Sequence, residues 1–231
     1  MSVILLFLVA VIAVAFWWLL RQGVMSKPWL ETGPSPVAET RRGGRSIERV
    51  GLGIFLAVVG CLFALFGSAF VMRMDEEAWW SLTLPPIVWV NTAQLVFASL
   101  FLHMAYASAK RRDRPGVRRD MAVAALATSG FLVGQLLAWR ELTMAGDGLV
   151  SAPAASFFYL LSGLHGLHIL GGLVALGLVV ARCGSDMSRL RASAGLCTAY
   201  WDFLLLVWLG LLTLFLGWTN NFVDICRSVL T

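Results

Sequence analysis

Two histidines, His165 and His168, sit inside an apolar stretch, in the run from Phe157 to His168. Their i, i+3 spacing places them on one face of a helix. Two imidazoles on one face could share a metal ion, whereas a bis-histidine haem needs ligands approaching from opposite sides. His103 is the only other histidine, so one metal site would need all three to converge with a carboxylate. Three histidines do not supply two haems. The bland reading, hydrogen bonding to neighbouring helices with Gly166 permitting close packing, is favoured. Asp202 is a carboxylate about seven residues into its own apolar stretch, roughly 10 Å below the surface at the helical rise. A carboxylate at that depth is expected to be either protonated or paired. A hydrogen bond to His168 or His165 is the expected partner, acting as an inter-helix clamp; a proton relay is the alternative.

Other candidates carry less chemistry. Gln135, Trp139, Arg140 and Glu141 close one apolar stretch as ordinary interfacial anchors. Asp75-Glu76-Glu77 followed by Trp79-Trp80 reads as a solvated cap, with steering of a basic electron carrier as the alternative. Cys61, Cys183, Cys197 and Cys226 form no C-x-x-C pair, and a free cysteine in an apolar segment behaves as a small hydrophobe. No Walker-type loop, nucleophile triad or H-E-x-x-H pattern occurs. Catalytic, cofactor-binding and metal-ligating residues are therefore expected at none of these positions.

The elements that carry these residues are membrane spans. Of 231 residues, 59% are hydrophobic and 13% charged, against about 25% charged in a soluble domain. A span needs about 20 mainly apolar residues, and six stretches qualify: Ser2 to Leu20, Val50 to Met72, Pro86 to Ala109, Met121 to Trp139, Ala154 to Ala181 and Gly195 to Trp218. Lys and Arg alternate along the connections and the C-terminal tail as six, one, six, one, three and one, accounting for all 18. The positive-inside rule then puts the odd loops in the cytoplasm and both termini outside. The net charge of +5 reports topology and anionic headgroups rather than nucleic acid. Residues 1–21 are expected to be a retained anchor, since Trp17-Trp18 and Arg21 follow the apolar run and no positive n-region precedes it. Residues 22–49, with Pro28, Pro34, Pro36 and Gly43-Gly44, read as an irregular cytoplasmic linker ahead of a five-helix domain at 50–231. The fold class is all-α, an integral membrane bundle of six transmembrane helices.

The run Phe157 to His168 with Gly171-Gly172 resembles the pattern F-F-x-L-[TS]-G-x-H-G-x-H-x-x-x-G of subunit III of haem-copper terminal oxidases. Further signals come in the same order. Pro85-Pro86 and Asn91-Thr92 resemble its P…L-N-T helix, Phe131 and Gln135 its F-x-x-x-Q segment, and Tyr200-Trp201 with Val207-Trp208 its Y-W-H-F-x-D-x-V-W helix. Gly163, Gly166, His165, His168, Asn91, Gln135, Trp201, Trp208 and Asp202 are the positions that carry the resemblance or mark its departures. Asp202 stands where the family has His, Leu205 where it has Asp, and Val59 where it commonly has Glu. One helix precedes the five-helix block, where the family has two or none, so the chain looks like a divergent member.

The resemblance implies a non-redox subunit of a proton-pumping, oxygen-reducing oxidase in the aerobic respiratory chain, multi-pass in the bacterial inner membrane. Such a subunit packs directly on catalytic subunit I, with subunit II and small subunits nearby, binds phospholipid and supports proton uptake. Haem and copper lie in partner subunits, and the electron donor, cytochrome c or quinol, reaches the complex rather than this chain. A quinol oxidase subunit III and a nitric oxide reductase accessory subunit are the near alternatives. A stand-alone membrane b-type cytochrome, betrayed by a Soret band, is the alternative from a different class.

Overall fold

The computed structural model describes residues 40–73, 84–146, 148, 153–181 and 187–216. The chain divides into two units, 1–43 and 44–231, and the helix bundle belongs to the second. The first span, most of the linker, the acidic loop with Trp79-Trp80, Cys183, Cys226 and the C-terminal tail lie outside the described residues.

Among the described residues, five helices are long and apolar enough to cross a membrane: α1 (Thr40–Met72), α2 (Ile87–Lys110), α3 (Arg114–Met144), α4 (Pro153–Ala181) and α5 (Met187–Phe215). They are the expected second to sixth spans, and they make the chain a multi-pass membrane protein. The helices overrun the apolar windows because Arg, Glu, Ala and Leu all favour the helix beyond the hydrocarbon. Thus α3 starts at Arg114 rather than Met121, and α1 already begins at Thr40, inside the stretch expected to be irregular.

The turn between α2 and α3 is the tightest connection described. Arg112 takes a left-handed conformation with φ of 62°, uncommon outside glycine. Asp113 then caps α3, accepting from the Gly116 amide at 3.2 Å, with Pro115 in the first turn. That cap contributes about 1 kcal/mol and holds α2 and α3 as neighbouring antiparallel helices.

Three apolar clusters fill the bundle. Leu102, Met121, Ala124, Leu176, Ala194 and Trp201 pack near the basic end. Leu95, Phe131, Ile169, Leu204 and Trp208 pack in a second cluster. The third joins α1 to α4 and α5 through Val59, Phe63, Phe70, Leu161 and Val207. Here α1 is held by an aromatic seam: Phe63 lies 5.7 Å from the His168 ring, and Phe70 lies 5.7 Å from Phe157 and 5.9 Å from Phe215. Val59, where the resemblance would put a carboxylate, is 4% exposed within that apolar seam.

Candidate functional site

In lipid, helix association rests on packing and on polar ties between helices. Three ties share one design. Trp208 Nε1 donates to Thr92 Oγ1 at 2.9 Å, joining α5 to α2. Trp201 Nε1 donates to Thr128 Oγ1 at 3.1 Å, joining α5 to α3. Trp139 Nε1 donates to Ser162 Oγ at 3.0 Å, joining α3 to α4. Each hydroxyl in turn donates to the carbonyl one turn back: Val88, Ala124 and Phe158 respectively. An indole has one donor and no acceptor, so a hydroxyl already donating backwards presents its lone pair to it. Thr128 carries none of the expected signals.

Asn91 and Gln135 meet across α2 and α3, with Asn91 Nδ2 donating to Gln135 Oε1 at 3.3 Å. Both are buried. A Cβ added at Gly134 would run into the Asn91 amide. At Gly163 and Gly166 an added Cβ would meet Trp139 at 3.4 Å and Leu132 at 3.7 Å, ordinary contact distances. The tight approach is instead at Gly172, against Tyr200 and Trp201.

The two histidines of α4 do not converge on a shared ligand. His165 is fully buried among the rings of Phe63, Phe131 and Trp208, at 6.3, 5.8 and 5.4 Å, and its nitrogens have no hydrogen-bond partner among the described residues. His168 Nδ1 lies 2.8 Å from the Leu164 carbonyl oxygen and so carries the proton that it donates. No group of three or more His, Cys, Asp or Glu among the described residues could hold a metal ion.

Asp202 corrects the expected pairing. It bonds neither His168 nor His165: Ser99 Oγ donates to its Oδ1 at 2.6 Å, and His103 Nε2 stands 3.4 Å from its Oδ2. Rotation about α5 is the reason. Tyr200, two residues earlier and so on a different side of the helix, faces α4 and donates to the His168 carbonyl at 2.7 Å. Asp202 therefore faces α2. Because α5 begins at Met187, Asp202 also lies deeper along its helix than the apolar window implied.

The Asp202 side chain is 42% exposed, so the clamp is a modest one. Asp202→Asn should cost about 1 kcal/mol or less, read as a slightly lower melting temperature of the detergent-solubilised complex. A loss of several kcal/mol would contradict this geometry.

No family model matches the chain. Curated relatives do. "Probable cytochrome c oxidase subunit 3" of Nocardia farcinica is 34% identical over 170 residues, covering 70% of this chain and 83% of the relative. The protein of the same name from Mycobacterium tuberculosis is 33% identical over 174 residues, covering 71% and 84%. "Cytochrome c oxidase subunit 3" of Thermostichus vulcanus is 29% identical over 177 residues, covering 71% and 84%.

Proposed function

The chain belongs to the cytochrome c oxidase subunit 3 family, and from that premise we propose that it is the non-redox subunit III of an oxygen-reducing, proton-pumping haem-copper oxidase of the bacterial inner membrane. The observation that carries the proposal is the match over five sixths of the relatives' length, 83–84%. The buried contacts at the signature positions support it. Asn91, Gln135, Trp201 and Trp208 tie helix to helix, His165 fills the core, and none of these arrangements performs a redox step. In this reading the chain packs on subunit I, holds phospholipid along its exposed apolar faces and supports proton uptake. Haem and copper belong to the partner subunits.

A mild-detergent pull-down of this chain tests the proposal, followed by haem and copper analysis of what accompanies it. A large co-purifying subunit with haem A or O and copper is expected. Haem b with non-haem iron would move the assignment to nitric oxide reduction, and a chain that purifies alone would overturn it.

A further inference from the structure

A cleft of about 1010 Å³ opens at the basic end of the bundle, between the start of α1, the end of α2 and the first half of α5. Four exposed cations line it from every element that forms it: Arg49 from α1, Lys110 and Arg112 from α2 and its following turn, and Arg191 from α5. Among the described residues, none of the four pairs with a carboxylate. The positive-inside rule accounts for cations at this end of the helices. It does not account for unpaired cations gathered around one concavity, where their mutual repulsion is a cost that a bound anion offsets.

Two of the four are held by unusual local structure. Arg112 follows the α2 C-cap Arg111. The Asp113 amide donates to the Ser108 carbonyl at 3.0 Å, and the Arg112 amide to the Ala109 carbonyl at 3.3 Å. That pair of bonds closes a helix on a left-handed residue, usually glycine. Arginine takes φ of 62° there, a conformation unfavourable to a residue with a Cβ and free to glycine. The chain thus keeps a guanidinium beside the cleft where the backbone alone favours glycine. Lys110 is positioned differently: its ammonium lies 4.4 Å over the Tyr106 ring. That ring is itself seated on α5, where a Cβ added at Gly195 would come within 3.2 Å of it.

We propose that this cleft binds a soluble organic polyphosphate of the cytoplasm, of the nucleoside di- or triphosphate class. The site goes beyond the subunit III reading and uses none of the contacts that carry it. A guanidinium meets phosphate oxygens bidentately, and an ammonium meets them as a point charge. Four cations match the several charges of a di- or triphosphate, whereas the phosphate of a lipid headgroup carries a single one. Leu52, Leu56 and Leu196 give the cleft an apolar wall for the organic part. Deeper in stand His103 and Asp202, with side chains 55% and 42% exposed. His103 lies seven residues before Lys110, roughly 10 Å along the helix axis. This polar floor suits the hydroxyls of a sugar or the edge of a base, and it opposes an acyl chain. Asp202 also repels phosphate, so the anionic end of the ligand turns outward to the four cations.

Equilibrium dialysis of radiolabelled ATP against the intact detergent-purified complex, at constant ionic strength, tests the site. Arg112→Gly is the sharpest variant, because it removes the guanidinium while giving the turn the residue its backbone favours. It should weaken ATP binding about tenfold, the loss of one charge-assisted bond, with the melting temperature unchanged or raised. Arg191→Gln should weaken binding similarly. Arg118→Gln removes an exposed cation that does not line the cleft, and it should leave binding nearly unchanged. Equal weakening by all three variants would reduce the effect to general surface charge and overturn the site. ATP binding that Arg112→Gly and Arg191→Gln leave untouched, or no binding at millimolar ATP, would overturn it as well. Phospholipid phosphorus retained by the complex is the second readout. If the cleft variants lower it and leave ATP binding as it was, a headgroup holds the cleft and the soluble ligand is wrong. The subunit III reading stands under each of these outcomes, because the haem and copper of the co-purifying subunit test it separately.

Discussion

Trp208→Ala should cost the bundle about 3 kcal/mol, at the low end of measured aromatic-to-alanine losses in protein cores. Trp208 is 1% exposed. Its ring stands 4.9 Å from Phe131 and 5.4 Å from His165, and its indole reaches Thr92 on α2. Moving the ring from protein into lipid changes its solvent little, so most of the loss is packing rather than transfer from water. Trp208→Phe isolates the hydrogen bond. It keeps most of the ring contacts, removes the donor to Thr92 and should cost about 1 kcal/mol. Thermal unfolding of the purified complex in detergent checks both. Equal losses for Ala and Phe would show that the tie to Thr92, not the ring, holds α5 in place.

Gly172→Ala is the second large effect, expected at about 1–3 kcal/mol from overpacking. A Cβ there would lie 2.6 Å from Tyr200 Cε1 and 2.9 Å from Trp201 Cη2. Neither ring is free to swing aside. The Tyr200 hydroxyl is bonded to the His168 carbonyl and the Trp201 indole to Thr128. Relief therefore has to come from moving α4 away from α5, which loosens the Tyr200 tie to the His168 carbonyl. The adjacent glycine is the control, because an added Cβ at Gly171 meets nothing within 4 Å. Gly171→Ala should leave the melting temperature nearly unchanged or raise it slightly. Equal effects at the two positions would refute the close approach of α4 to α5.

Much of this arrangement is legible from residue types alone. Apolar length marks the five described spans, because hydrocarbon thickness imposes it. The helix ends are not marked, because charged residues leave the apolar window without leaving the helix; Arg114 and Met187 both open helices several residues before their windows. The signature amides Asn91 and Gln135 do meet each other. The Asp202 pairing is not legible, because depth along a helix says nothing of rotation about it. His168 has the depth expected of a partner, but Asp202 points at α2 and Tyr200 takes α4. Ser99 and Thr128 are invisible for a different reason. A hydroxyl in a membrane helix usually satisfies itself on the preceding turn, and only the facing helix shows which one also receives an indole or gives to a carboxylate. Val59 reads as a lost carboxylate, and its place in an apolar aromatic seam shows packing alone at that point.

A subunit III with no redox chemistry of its own can leave its complex without taking a cofactor with it. Haem and copper content per complex, measured before and after the chain is stripped from the purified oxidase, reads this out, together with the visible spectrum of the released chain. The remaining complex should keep its haem and copper, the released chain should show no Soret band, and the stripped oxidase should still reduce oxygen. Haem or copper departing with the chain would refute the assignment.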